Sequence, residues 1–213
     1  EQEGQAKFRL LICAGAGCVS ANCHAVRKSL EYALDEAGLT LDCVIHETGC
    51  VGACHLGPTL VVQPGGIFYT KLTPADMPRI VEQHLQKGNV VESLCYVDKT
   101  THQRIPKIDD IPYFRRQMRL VTAKCGCMPY DSLEAYIAND GYMALEKVLL
   151  SMTPEQVIDE MKKSGLRGRG GGGFPTGLKW EAGYKAKGDM KYIVCNADEG
   201  DPGAYMDRSL LEG

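Results

Sequence analysis

Apolar and polar positions along the chain fall into short, separable blocks. Residues 8–13 read FRLLIC, a compact apolar run that predicts a strand. After the loop "CAGAGCVSANC", Val26, Leu30, Ala33, Leu34 and Ala37 recur at helical intervals and form one apolar face, which Gly38 ends. "LTLDCVIHE" predicts a second strand, running into the turn "TGCVGACHLGP". In "TLVVQPGGIFYTKL", β-prone residues flank Pro64-Gly65-Gly66, which predicts a hairpin. "TPADMPRIVEQHLQKG" opens like a helix, with Thr73 to cap, Pro74 at the first helical position, Asp76 in the first turn and Gly88 at the end. The order is β-α-β-β-β-α, a small α/β unit.

From Val90 to Pro112 the pattern weakens, which predicts a linker. Helical periodicity returns in "SLEAYIANDGYMALEKVLL" and in "TPEQVIDEMKKSG". The latter carries Thr153 at the cap, Pro154 first, Glu155 and Gln156 in the opening turn and Gly165 past the end. A glycine-rich loop, "GLRGRGGGGFPTGLKW", follows. "MKYIVCNA" then predicts a strand leading into the acidic turn "DEGDPGAYMDR". The expected division is a domain at 1–89, a linker at 90–112 and a second domain at 113–213.

At 213 residues the chain can form one large or two small domains. A net charge of -3 and a pI near 6.0 give no basic surface for nucleic acid or an anionic membrane. No apolar run approaches the roughly 18 residues that cross a bilayer, and no signal pattern opens the chain. The expectation is a cytoplasmic protein without direct membrane insertion. Ten cysteines then change the picture: in a reducing compartment, clustered thiols bind metal or do redox work more often than they form disulfides.

Cys13 and Cys18 form C-x4-C, and Cys50 and Cys54 form C-x3-C, each pair in a Gly/Ala-rich loop after an expected strand. Small residues there let the main chain fold tightly and aim N–H groups at sulfur. Four thiolates from two converging loops suit a [2Fe–2S] cluster. Structural zinc is the competing metal, although C-x2-C spacing is commoner for it, and four incidental buried thiols are the bland alternative. No C-x-x-C occurs. "CAGAGC" with "GCVGAC" on a β-α-β-β-β-α order resembles the thioredoxin-like [2Fe–2S] ferredoxin family over residues 8–88. The resemblance implies that Cys13, Cys18, Cys50 and Cys54 are the metal ligands. Cys23, Cys43, Cys95 and Cys195 read as packing residues, Cys125-Gly126-Cys127 as structural, and none of the five histidines receives a role.

Gly168, Gly170 and Gly173 stand at G-x-G-x-x-G offsets, but this loop follows a helix rather than a strand, against a Rossmann turn. No G-K-[ST] closes it as a Walker loop. A bare glycine run can bring backbone N–H groups to a flat or anionic ligand, with Lys179 as a point charge and Phe174 as a flat face; a flexible linker is the alternative. Downstream, Asn196, Asp198, Glu199 and Asp201 sit where α/β proteins place ligand-binding groups, and the carboxylates suit either a metal or hydrogen bonds to a flavin or a ribose.

"SGLRGRGGGGFPTGLKW" followed by "YIVCNADEGDPGAYMDR" resembles the FMN- and NADH-binding flavoprotein subunit of complex I-like enzymes, which includes the diaphorase subunits of NAD(P)-linked FeFe hydrogenases and formate dehydrogenases. The resemblance implies an α/β fold: a thioredoxin-like ferredoxin domain, a linker and the incomplete start of a complex I-type FMN-binding domain. It implies that Gly168, Arg169, Gly170 and Lys179 surround FMN and its phosphate. Asn196, Asp198 and Glu199 would bond its other side, Phe174 would stack on the dinucleotide and Asp201 would lie beside the nicotinamide. Asp201 stands where complex I has Glu, and Gly172 where Ala is common. No acid–base catalytic residue is implied. The family's chains continue past this one with a second flavin loop and a [4Fe–4S] site. The implied function is electron transfer between NAD(P)H and iron–sulfur centres through FMN, with other iron–sulfur subunits as partners: a hydrogenase or formate dehydrogenase catalytic subunit and a small [2Fe–2S] subunit. A ferredoxin-like relay without catalysis and a zinc-binding interaction protein are the alternatives.

Overall fold

The computed structural model describes residues 6–212. The run FRLLIC forms β1 (Phe8–Cys13). A short helix α1 (Ala16–Ser20) and α2 (Cys23–Glu36) follow. Next come β2 (Cys43–Thr48), β3 (Leu60–Gln63) and β4 (Ile67–Tyr69). Then α3 (Met77–Ile80) widens into π turns over Val81–Gln86. The expected β-α-β-β-β-α order is present, with Pro64-Gly65-Gly66 at the hairpin tip. Thr73 and Asp76 form a capping box ahead of α3. Strand β2 begins at Cys43, later than "LTLDCVIHE" suggests.

The sheet order is β2-β1-β3-β4. Strands β1 and β2 are parallel, with Cys13 opposite Thr48, while β3 runs antiparallel to both β1 and β4. Alternation along the strands divides the core in two. On one face Leu10, Ile12, Leu60, Val62 and Tyr69 meet Val26, Leu30 and Leu34 of α2 and Met77, Ile80 and Val81 of the third helix. On the other, Leu11, Val61 and Phe68 meet Val51, Ala53 and Leu56 of the loop after β2 and, from further along the chain, Ile111. The cysteine loop is therefore part of the second core, and its backbone position is set by apolar burial.

Residues 90–112, expected as a linker, are tied to this sheet. Val91, Cys95 and Ile111 are buried. β5 (Tyr96–Val97) and β6 (Arg104–Ile105) form a two-stranded ribbon, and Tyr69 bridges Cys95 while Ile67 bridges Lys107. The open edge of β4 supplies the backbone partners, a non-local cause that leaves no periodicity in the sequence. α4 (Pro112–Arg115) follows, and Phe114 meets Phe68 edge-on.

Residues up to Ser132, together with those from Asp198, form one compact unit, and Leu133–Ala197 forms another. The second unit holds α5 (Leu133–Ala138), α6 (Met143–Ser151), α7 (Pro154–Ser164) and α8 (Thr176–Lys185). The Thr153–Gln156 capping box expected for α7 is present. The last described element is α9 (Met206–Glu212). The strand expected at "MKYIVCNA" does not form: no described residue pairs with this segment in a ladder, and Ile193 is fully exposed. β-prone residues make a strand only where a neighbour satisfies the backbone. No described helix is long and apolar enough to cross a membrane.

His84, given no role by sequence, is buried, and its Nδ1 lies 3.0 Å from the Tyr69 hydroxyl, which also accepts from the Val91 N–H at 3.1 Å. Burial holds the His84 pKa below its ordinary value. The neutral ring is thus the folded form, so this contribution to stability is complete above about pH 6.5, the unperturbed value, and is lost as pH falls. Tyr69→Phe should strip both partners and cost about 1–3 kcal/mol in urea denaturation at neutral pH; an unchanged midpoint would show that the pair adds nothing.

Candidate functional site

The parallel pairing of β1 with β2 brings two cysteine loops to one edge of the sheet. Cys13 is the last residue of β1, and Cys50 lies two residues beyond the end of β2. The Ala14 N–H donates to Thr48 O at 2.9 Å, and the Thr48 hydroxyl bonds Ile12 O at 3.4 Å, which locks the two strand ends together. Cys18 follows within α1, and Cys54 opens a 3₁₀ turn, Cys54–Leu56. The four thiols form a chain of contacts, Cys18 to Cys13, Cys13 to Cys50 and Cys50 to Cys54, the last with Sγ atoms 3.5 Å apart. Cys13 and Cys18 are buried, Cys50 is half-buried and Cys54 is exposed.

Three glycines allow this approach. A Cβ at Gly15 would stand 2.8 Å from Cys50 Cβ, one at Gly17 3.0 Å from Cys54 Cβ, and one at Gly57 2.7 Å from Cys18 Sγ. The small residues of "CAGAGC" are contact surfaces for the opposite cysteine loop.

Burial and contacts among the thiols dominate the electrostatics of the site. The hydrogen bond to Cys18 pushes the Cys13 thiol up to about 11, and the same contact lowers Cys18. Cys50 is raised above the ordinary thiol range by its contact with Cys13 and by burial, although the Gly52 N–H points at its sulfur from 3.2 Å. Burial, then Cys50, raises Cys54. Protons hold such a set neutral, and a cationic centre can replace them. Among the described residues, no three His, Cys, Asp or Glu side chains converge on a single-ion position. The pairwise run of thiols fits a [2Fe–2S] centre, in which two thiolates bind each iron.

Nearby charge is balanced. Glu47, next to Thr48 on β2, accepts from Arg27 at 2.8 Å, lies 3.5 Å from His24 and is lowered chiefly by Arg27. Sequence reasoning passed over Glu47 and read Cys23 as a packing residue; Cys23 is buried, as that reading requires, and also close enough to Cys13 and Cys18 to interact electrostatically. The repeat Cys13-x4-Cys18-x4-Cys23 was the available signal. Cys43 and Cys95 are buried, as packing residues should be, whereas Cys195 is exposed.

In the other unit, the glycine loop joins α7 to α8. The Gly168 N–H donates to Phe174 O at 2.9 Å, the Thr176 N–H to Leu166 O at 2.9 Å, and Arg167 bridges Pro175, so the loop is closed at its base. Cβ positions at Gly170, Gly171, Gly172 and Gly173 meet nothing within 4 Å, leaving the main chain uncovered for a ligand. The loop runs into the N-terminus of α8, whose exposed Lys179 lies one turn in. A bare backbone, a helix N-terminus and one lysine fit a planar group bearing phosphate. Arg169 Nη1 donates to Arg167 O at 3.1 Å, and Phe174 is exposed. Helix α8 is held to α7 at Gly177, where a Cβ would fall 2.6 Å from Lys162 N, and by Glu181, which pairs with Lys162 at 2.9 Å.

Of the acidic turn, Asn196 falls in this unit, while Asp198, Glu199 and Asp201 fall in the one that carries the cysteines. The Glu199 carboxylate accepts from Asp207 N at 2.9 Å and Arg208 N at 3.2 Å, capping α9, a contact that the sequence did not announce.

Residues 1–85 match the thioredoxin-like [2Fe-2S] ferredoxin family model, and residues 161–213 match the Nuo51 FMN-binding domain. NADP-reducing hydrogenase subunit HndC of Solidesulfovibrio fructosivorans is 56% identical over 46% of this chain and 20% of its own. NAD-reducing hydrogenase HoxS subunit alpha of Cupriavidus necator is 30% identical over 96% of this chain and 32% of its own. A thioredoxin-like [2Fe-2S] ferredoxin from Aquifex aeolicus is a structural neighbour at 30% identity and a TM-score of 0.40, covering 42% of this chain and 89% of that one. The chain thus spans a fifth to a third of these two hydrogenase relatives.

Gly57→Ala would set a methyl group against the Cys18 sulfur. It is expected to cost about 1–3 kcal/mol of stability, as overpacking does. A thermal unfolding curve identical to the parent's would refute the close contact.

Proposed function

We propose a function from two memberships: the chain belongs to the thioredoxin-like [2Fe-2S] ferredoxin family over residues 1–85 and to the Nuo51 FMN-binding family over residues 161–213. The chain is the N-terminal part of a diaphorase subunit that carries electrons between NAD(P)H and iron–sulfur centres. The observation that supports this most is the meeting of four thiols at the β1–β2 edge in a chain that also carries an uncovered glycine loop. Cys13, Cys18, Cys50 and Cys54 hold a [2Fe–2S] cluster, within a domain that we place at 1–89.

Bound FMN supplies the conversion of a two-electron hydride into single electrons. Within the 113–213 domain, Gly168, Arg169 and Gly170 present main chain to the flavin, and Lys179 with the α8 N-terminus neutralises its phosphate. Phe174 offers its exposed ring to the incoming dinucleotide. Asn196, Asp198 and Glu199 hydrogen-bond the flavin edge, and Asp201 lies beside the nicotinamide. These residues bind, orient and exclude water; none serves as a general acid or base.

The names of the relatives support partners among the other subunits of a hydrogenase complex. We extend this to iron–sulfur partners: a hydrogenase or formate dehydrogenase catalytic subunit and a small [2Fe–2S] subunit, with a [4Fe–4S] centre in the same assembly. Electron bifurcation is compatible with this arrangement.

Lys179→Ala in the full-length protein should lower FMN content at least about tenfold, the loss of one charge-assisted contact worth about 1.5–3 kcal/mol, while the visible spectrum of the cluster persists. Full retention of flavin would remove Lys179 from the pocket. Anaerobic NADH or NADPH should bleach first the flavin and then the iron–sulfur absorption; bleaching by neither nucleotide would refute the diaphorase reading.

A further inference from the structure

The Cys125-Gly126-Cys127 motif has no part in the reading so far, yet it lies against the cysteine loop. Its segment is pinned to β2: Thr48 and Pro129 form an antiparallel bridge, the Tyr130 N–H donates to Glu47 O at 3.4 Å, and the Tyr130 hydroxyl donates to Glu47 Oε2 at 3.4 Å. Two tight turns shape it, Cys125 N–H to Thr122 O at 3.2 Å and Cys127 N–H to Lys124 O at 3.0 Å, and Arg119 Nη1 donates to Cys125 O at 3.1 Å.

The turn so formed rests on Val51. A Cβ at Gly126 would stand 2.2 Å from Val51 Cγ1, and Gly126 has φ +78°, so both space and backbone demand glycine there. Val51 lies between Cys50 and Gly52, the residue whose N–H points at Cys50 Sγ. On its other side the buried Cys125 thiol is 3.9 Å from Ser209 O in α9, the helix that Glu199 caps. Cys127 is exposed. The motif is thus one inward and one outward thiol on a turn clamped between α9 and the cysteine loop.

We propose that Cys125 is a positioning residue for the iron–sulfur centre: through the Gly126–Val51 contact its turn holds Val51 buried beside Cys50 and limits water at that side of the site, and so sets the cluster's reduction potential. This rests on the reading that Cys13, Cys18, Cys50 and Cys54 hold a [2Fe–2S] cluster. A thiolate-bound cluster gains negative charge on reduction, and water stabilises the more highly charged state. Excluding water therefore keeps the potential low, and opening the turn raises it, since water that enters also replaces any N–H···S bond that is lost. The Cys125 to Ser209 contact joins this turn to the helix after the acidic turn, so a shift of α9 would be felt at the cluster.

The test uses the full-length protein, purified anaerobically, with iron and acid-labile sulfide measured first. EPR-monitored redox titration then gives the midpoint potential of the [2Fe–2S] signal, and a chelator gives its rate of bleaching. Gly126→Ala and Cys125→Ala should shift the potential upward and speed bleaching. Cys125→Ser, which refills most of the thiol's volume against Ser209 O, should lie closer to the parent than Cys125→Ala, and Cys127→Ser should leave both unchanged. If Gly126→Ala does not fold, the comparison of Ala with Ser at Cys125 carries the test. Intact clusters with parental potentials in Gly126→Ala and Cys125→Ala would overturn the proposal. Loss of the cluster in Cys127→Ser would overturn it too, by making that thiol a ligand. A parent protein without labile sulfide would refute the ligand reading itself, and this proposal with it.

Discussion

The parallel register of β1 on β2 is the constraint on which the rest of the cysteine site depends. With Cys13 opposite Thr48, the loops after both strands leave the sheet at the same edge and at the same height. A slip of one residue would turn Leu10 and Ile12 from the α2 face to the other and carry Cys13 with them. The register is held on both faces, by α2 with its Val26 and Leu30 on one and by Val51, Ala53 and Leu56 on the other. The loop that bears Cys50 and Cys54 is therefore bound by the same hydrophobic burial that builds the sheet. Binding chemistry and folding share their side chains here.

That arrangement explains the composition of the two loops. Apolar residues at Val51, Ala53 and Leu56 anchor the backbone, and the glycines opposite remove the atoms that would keep the thiols apart. The result is a chain of four sulfurs, three of which, Cys13, Cys50 and Cys54, hold their protons more tightly through burial and contact with one another, while Cys18 holds its own less tightly. A cluster with a cationic iron core exchanges those protons for metal–sulfur bonds, so its binding and the cohesion of this edge reinforce each other. Cys54 remains at the surface, the point at which an electron would enter or leave most readily.

What was legible in the sequence was what is encoded locally. The β-α-β-β-β-α order, the Pro64-Gly65-Gly66 tip and the Thr153–Gln156 capping box each follow from a few adjacent residues. The C-x4-C and C-x3-C spacings likewise pointed to four thiols that the fold brings together, because each spacing sits at a strand end. Contacts distant in sequence were not legible. The 90–112 segment pairs with the edge of β4 through backbone groups, which leave no side-chain pattern. The opposite error occurred at 190–197, where β-prone residues were visible but the required neighbour is not among the described residues. Cys125-Gly126-Cys127 reads as structural in the sequence, but its contacts with Val51 and Ser209 were not legible, because both lie remote along the chain.

The most direct measurement is the iron and acid-labile sulfide content of the full-length protein with Cys13, Cys18, Cys50 and Cys54 each changed singly to serine, against Cys43→Ser as a buried control. A four-thiolate site predicts that each of the four lowers the [2Fe–2S] content or alters its EPR spectrum, while the control keeps both. A full, unaltered cluster in any of the four, or one zinc ion in place of iron and sulfide in the parent, would contradict it.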